Sequence, residues 1–517
     1  MGNGIFKTLV AIILLATVAF LCGSLAADGV KSAIVPILIL AGSFFLLYMG
    51  KNCWWLVYLL LPLVTGTPTS GMRYIVVNCV LLAPVVYWFI MAILGRVRLT
   101  WYGVPSIDIL VASLAGYMLV SWFRHPVYLN IMLNRLTADD SVLIGGADYV
   151  VCIFVVLTYI AISVIPVKFE QFVKALKFFT WMSLLVSFAY MVISLAFPGE
   201  AQMEPGMSEK TYDNSRVFEY LKFSSLMITL LLCKYSVWDI LISPWKFLWA
   251  AIAGLGVMVA GFRSSMMYIL VELLVTQWLH RRLMSALLLA FTCCISVVFL
   301  SQQNALDFLP YGIKRVFSPL PGIEFEDRRS MTDAQGSVDW RVKMWEWALD
   351  PSKGYIKDYV WGDGFGHRID EIRRERYLFK EVSAGTEQQK KFARHGQWHN
   401  GPIAVMHRLG VVGLCIVVVW TLVVCVYVLR VLRALDQVKG REYVYFALIS
   451  LIPGTVCFYG SAGTVTHILK MLYSVAILKV CYCHLRKLGY IQPFFEKREY
   501  VPLMIKELDD GTAVVRR

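Results

Sequence analysis

Residues 398–429 read WHNGPIAVMHRLGVVGLCIVVVWTLVVCVYVL. From position 402 the run is apolar and longer than the about 20 residues that a helix needs to cross a bilayer. Ahead of it stands a tryptophan, a histidine, an asparagine and a glycine, and ahead of those lies a long polar stretch, 302–400, with no spanning segment. Apolar runs of this kind recur from end to end of the 517 residues, 58% of which are apolar and only 16% charged, against about 25% charged in a soluble chain. Backbone groups in lipid must pair within their own segment, so the chain is expected to be an all-α polytopic membrane protein. The net charge of +14 would suggest a nucleic-acid partner for a soluble protein. Here the basic residues gather in short loops between spans, where they set orientation, and no nucleic-acid partner is expected.

Taken in order, spans are expected at 8–24, 32–50, 53–66 (interrupted by Pro62), 74–95, 106–122, 143–167, 178–197, 217–233, 241–260, 264–279, 283–300, 402–429, 444–460 and 464–483. That gives about 12–14 transmembrane helices around one large, partly helical loop. Residues 8–24 imitate a signal peptide but lack a small-residue cleavage site with a polar chain behind it, and read as a retained first span. Asp108, near the start of the fifth span, reads as a helix cap. The divisions are N-terminal spans to 239, a span group 240–301, the loop 302–400, C-terminal spans 401–483 and a charged tail 484–517. The twelve cysteines lie mostly in spans and show neither a disulfide framework nor zinc spacing.

The loops with Lys51, with Arg96 and Arg98, with Lys168, Lys174 and Lys177, with Arg281 and Arg282, and with Arg430, Arg433, Lys439 and Arg441 all fall on one side. Arg486 and Lys487 join them. The positive-inside rule makes that side cytoplasmic. Both termini are then inside, and 302–400 faces outward with 198–216 and the turn at 261–263. The 198–216 segment carries Glu200, Glu204, Lys210, Asp213 and Arg216, and is placed to cover a site mouth.

Three polar groups share this outer face. Arg263 follows AIAGLGVMVAG, 251–261, where glycine and two serines leave space around the guanidinium; a planar fork there suits a lipid-linked phosphate as well as it suits a snorkelling anchor. Arg341 lies in SVDWRVKMWEWAL, 337–349, a short helix that Ser337 or Asp339 would cap, with Arg341, Trp345 and Ala348 on one face. Trp345 and Trp347 would lay it on the membrane surface. WGDGFGH, 361–367, has three glycines at alternate positions, which mark a tight turn or close approach to a ligand, with Gly364 at its centre. His399 marks the junction of loop and span beside Asn400, and a histidine is the usual general base. His407 and Arg408, deeper in the span, are secondary candidates. Metal-ligand spacing is absent, so no metal is expected.

With these residues in hand, the region from about 240 to 480 resembles the bacterial O-antigen ligase and O-antigen polymerase superfamily, including its protein O-oligosaccharyltransferase and exopolysaccharide polymerase branches. His399, Asn400, Gly410 and Gly413 match the ligase-type motif without a gap. GFRSS places Arg263, and RVKMWEWAL with GDGFG places Arg341. Phe262 stands where the family usually has serine. The N-terminal half matches only in being many spans, and 484–517 does not match. The resemblance implies a C-type glycosyltransferase-like fold in the bacterial inner membrane. It implies transfer of a glycan from undecaprenyl diphosphate to a glycan, lipid A–core or protein acceptor at the periplasmic face, without cofactor, metal or nucleotide sugar. It makes His399, Arg341 and Arg263 catalytic, with Arg216, Trp345, Gly364, Asn400, His407 and Arg408 as further substrate-binding candidates. Other polysaccharide-assembly proteins are implied as partners. Two other classes stay open: a transporter or flippase of lipid-linked sugars, which would show internal repeats and broken spans, and a non-catalytic scaffold or receptor.

Overall fold

The structure, a computed structural model, describes residues 54–66, 72–127, 134–137, 140–142, 146–196, 218–259, 263–302, 314, 317, 329–366, 398–460, 463–492, 506–507 and 513–514. The expected spans 8–24 and 32–50 and the segment carrying Arg216 lie outside the described residues.

The described residues are mostly helical. In order it forms α1 (Trp55–Gly66), α2 (Met72–Ile93), α3 (Pro105–Arg124), α4 (Ala147–Val164), α5 (Phe169–Ala196), α6 (Phe218–Lys234), α7 (Val237–Ile242) and α8 (Pro244–Val259). Then come α9 (Arg263–Leu279), α10 (Leu283–Gln302), α11 (Arg329–Leu349), α12 (Gly401–Ala434), α13 (Arg441–Ile449), α14 (Leu451–Gly460) and α15 (Val465–Lys487). Among the described residues, five helical stretches are long and apolar enough to cross a membrane: α3, the first part of α5, α12, α13 with α14, and α15. Five shorter apolar helical stretches accompany them in α2, α4, α8, α9 and α10. This is a helical membrane protein.

Departures from the sequence reading have local causes. The loop expected at 168–177 is already helix, because α5 starts at Phe169; Lys177 reaches along it to place its ammonium over the Tyr443 ring. The span expected at 444–460 is two helices meeting at Ser450, whose φ of −58° keeps them nearly continuous. A capping box formed by Ser236 and Asp239 starts the short α7, which the sequence reading folded into a loop and a span. Beside the helices stand two small antiparallel hairpins, Asn134–Thr137 with Asp140–Val142 and Lys506–Glu507 with Ala513–Val514.

The centre of the bundle is α15, packed on α4 and α12. Its Lys479 is fully buried, and the ammonium lies 2.6 Å from the Asp108 carboxylate of α3. The Tyr159 hydroxyl of α4 donates to the same oxygen at 2.5 Å. The Trp101 and Tyr159 rings flank the ammonium at 4.2 and 4.3 Å. The other Asp108 oxygen accepts the Val104 N–H at 2.9 Å. Asp108 therefore sits in the first turn of α3 and takes the N–H of the N-cap residue Val104, and it is also the partly buried half of an ion pair with buried Lys479 that no local pattern announced. A buried acid, Glu272 of α9, accepts the Thr229 hydroxyl of α6 at 2.8 Å and ties those helices together.

The basic loops gather at one end of the bundle. Arg281 pairs with Asp436 at 3.3 Å. Arg433 lies over the Trp278 ring at 4.4 Å, and Lys487 lies over Tyr102. The start of α12, the end of α3 and the start of α15 stand at the opposite end. Since α9 runs away from Arg263 towards Arg281, its first residue also belongs to that opposite end.

Candidate functional site

The site forms where the glycine-rich turn meets α12. This helix is broken at Gly410, which has φ 65° and ψ −173°. An unbroken helix would carry bonds from the amides of Val411 and Val412 to the carbonyls of His407 and Arg408. Here Val411 N–H donates to Tyr359 at 2.8 Å and Val412 N–H to Val360 at 3.3 Å. The freed carbonyls of His407 and Arg408 accept the amides of Asp363 and Gly364 at 2.8 and 3.0 Å. The turn thus inserts into the helix and re-satisfies the opened backbone, the condition under which irregular structure survives at membrane depth.

The alternating glycines follow from this insertion. A Cβ on Gly362 would lie 2.5 Å from the Arg408 carbonyl and the Gly410 amide, and one on Gly410 would run into the Val360 carbonyl. At Gly362 the close approach inferred from the sequence is therefore to another stretch of backbone; at Gly364 it is to the His125 and Tyr149 side chains. Tyr117 of α3 braces the junction, its hydroxyl 2.9 and 3.1 Å from the carbonyls of Leu409 and Trp361. Arg124 pairs with Asp358 at 2.9 Å and stacks over Trp361 at 5.5 Å. The Phe365 amide donates to the Tyr149 hydroxyl of α4 at 3.2 Å.

Charged groups lock the junction from inside. The Asp363 carboxylate accepts the amides of Lys357 and Asp358 and stands 3.4 Å from Nε2 of buried His407. Burial alone raises this carboxyl; the His407 hydrogen bond and the two amides outweigh burial and hold it below the usual carboxylate range. His407 Nδ1 accepts the Trp398 indole N–H at 3.0 Å. Arg408, also buried, donates to the Gly364 carbonyl at 3.2 Å. These contacts make His407, Arg408 and Gly364 parts of the support.

His399 lies at the mouth. It adopts φ +51°, a left-handed conformation rare outside glycine. The chain is pinned on both sides of it. Trp398 is fully buried, and its carbonyl accepts the Trp345 indole N–H at 2.8 Å. Asn400 caps α12 by accepting the Ile403 N–H at 3.1 Å. The His399 ring lies 5.5 Å from the Trp340 ring. Burial, then the nearby Arg341 guanidinium, lowers its pKa to about 4. At neutral pH the imidazole is uncharged and able to accept a proton.

Helix α11 supplies Arg341 and Trp340. It begins at Arg329, so Ser337 and Asp339 lie inside it and do not cap it, contrary to the sequence expectation. Trp345, partly buried, packs against a small cluster of Met344, Ala348, Trp398 and Ile403. Trp347 stacks on Tyr355.

The structure therefore brings His399, Arg341, Trp345, Asn400, Gly364, His407 and Arg408 to one end of α12. Arg263 starts α9 at that same end; its side chain and all of Arg216 lie outside the described residues. Sequence reasoning missed Asp363, Trp398, Tyr117 and Arg124. Asp363 stood between two singled-out glycines and Trp398 beside the singled-out histidine, and adjacency was the only local signal. Among the described residues no three His, Cys, Asp or Glu side chains gather as a metal site. No protein-family model matches the chain, and no curated protein matches it.

Proposed function

We propose that this protein is a membrane glycosyltransferase of the O-antigen ligase or surface-polysaccharide polymerase type. It would move a glycan from undecaprenyl diphosphate to an acceptor hydroxyl at the periplasmic face of the bacterial inner membrane. The observation that carries the reading is an uncharged, half-buried His399 beside the Arg341 guanidinium at the mouth of a membrane helix. In the reaction the acceptor oxygen attacks the anomeric carbon, the bond to diphosphate breaks with its electron pair leaving on the phosphate, and the configuration inverts. His399 takes the hydroxyl proton. Arg341, with Arg263, offsets the charge on the leaving diphosphate, the role a divalent ion fills elsewhere. Donor binding also prepares the base. Burial is the larger cause of the low imidazole pKa and Arg341 the smaller; the diphosphate charge would offset only the Arg341 part, which makes His399 more basic once donor is bound.

The test uses purified protein, an undecaprenyl-diphosphate-linked oligosaccharide, an acceptor and excess EDTA. Wild type should transfer. His399→Ala should lose about 10²–10⁴-fold in turnover, the usual scale for a missing general base, while still binding donor. Arg341→Lys should bind donor poorly, because an ammonium cannot pair bidentately. An active His399→Ala protein would refute the assignment. The break at Gly410 favours a second reading, since discontinuous spans are a transporter feature. A flippase would move the lipid-linked sugar across proteoliposomes without forming product. Against it, the freed backbone groups at the break are taken by the turn and are not left to coordinate a cargo.

A further inference from the structure

We propose that Asp363, His407 and Trp398 form a relay of positioning residues that fixes the ring and backbone of His399. For its catalytic consequence the inference rests on the reading above; its structural content does not.

The relay is built in one direction. Asp363 is immobilised by the Lys357 and Asp358 amides, and its own amide is bonded to the His407 carbonyl. Side chain and backbone together therefore join residues 363 and 407. Because His407 Nδ1 accepts the Trp398 indole proton, the proton of neutral His407 sits on Nε2, facing Asp363 Oδ2 at 3.4 Å. The carboxylate selects the tautomer, and the tautomer makes Nδ1 an acceptor. Trp398 is held by that bond, by Trp345 on its carbonyl and by edge contacts with Tyr355 and His407 at 5.8 and 5.7 Å.

The residue after Trp398 is His399, in the left-handed region. A non-glycine residue stays there only where its surroundings over-determine it. Asn400 fixes the following residue through the helix cap, so the relay supplies the restraint on the preceding side. A packing role alone would need only the bulk of Trp398 and His407. The relay needs their polar atoms, and that difference can be tested.

Three variants of the full chain separate the two roles. Trp398→Phe keeps the ring and deletes the donor. His407→Leu deletes both relay bonds. His407→Asn keeps an acceptor near the Nδ1 position. The first readout is labelling of His399 by diethyl pyrocarbonate in detergent-purified protein, followed by peptide mass spectrometry, with part-buried His280 and buried His484 as gauges of general loosening. We expect His399 to label faster in Trp398→Phe and His407→Leu, His407→Asn to stay near wild type, and the two gauges to be unchanged. The second readout is turnover of an undecaprenyl-diphosphate-linked oligosaccharide. We expect kcat to fall about tenfold or more, on the scale of a 1 Å misplacement, with KM for this donor little changed and kcat partly restored in His407→Asn. Unchanged His399 labelling in Trp398→Phe overturns the relay whatever the activity, and so does equal loosening at the gauge histidines. Faster labelling with undiminished kcat upholds the relay and removes His399 as the base.

Discussion

Gly410→Ala should be among the most damaging single-methyl additions to this protein. Two effects add. The backbone there has φ 65° and ψ −173°, a region closed to side chains and worth about 1–3 kcal/mol of strain. The new methyl would also meet the Val360 carbonyl, which cannot retreat without pulling the turn off α12. Four backbone bonds join turn and helix, those of Val411, Val412, Asp363 and Gly364. At about 1 kcal/mol net apiece, losing them costs roughly 4 kcal/mol. The combined loss is therefore about 5–7 kcal/mol. Heating in detergent with a thiol-reactive fluorophore reads this directly, because Cys152, Cys233 and Cys481 are buried and become reactive on unfolding. Two controls divide the terms. Gly95 has φ +69° and open space around it, so Gly95→Ala should lose about 1 kcal/mol from the backbone alone. Gly116 lies inside α3 with nothing within 4 Å, and Gly116→Ala should gain about 0.5–1 kcal/mol. If Gly410→Ala unfolds no earlier than Gly95→Ala, the inserted turn is not what holds α12 at its break.

Two further outcomes are expected. His399 has a folded pKa of about 4 against an ordinary 6.5. Between those values the unfolded chain binds a proton that the native chain does not, so stability rises with pH across that window and is lost as pH falls, by up to about 3 kcal/mol. Thermal stability of His399→Asn between pH 4 and 6.5 should be flatter than wild type; parallel curves would contradict the burial of the ring. For the Asp108–Lys479 pair, Asp108→Asn and Lys479→Met should each destabilise by about 3–5 kcal/mol by stranding a charge, and the double variant should recover much of the loss. Additive losses in that cycle would show that the two residues are uncoupled.

The spans were legible because lipid exposure forces long apolar runs, and α3, α12 and α15 lie close to where those runs begin and end. The start of α5 was not, since Lys174 and Lys177 look like a loop until Tyr443 is seen to receive one of them. At the site, His399 and Asn400 announced themselves by standing where polar chain becomes apolar. The glycines at 362, 364 and 366 announced a close approach without naming what approaches. For Gly362 the partner is the backbone of residues 408–410, bound by main-chain groups that any sequence would carry, and for Gly364 it is His125 and Tyr149, far away in sequence. Gly410 alone betrays the break. The Asp363–His407 contact was hidden for the same reason, being a consequence of the backbone insertion.

The Lys479–Asp108 contact also sets a timetable. The two residues are 371 positions apart, so at about 5–20 residues per second the ribosome delivers the lysine on the order of 20–70 s after the aspartate. The Val104 N–H is there from the start, and Tyr159, only 51 positions on, arrives early with a second hydrogen bond, but neither brings a counter-charge. Until α15 is threaded between α4 and α12, the membrane domain holds a carboxyl group without its cationic partner, Lys479. The last long helix thus works as a keystone, and a nascent chain cut short before it would present the cell with an unneutralised acid among its helices.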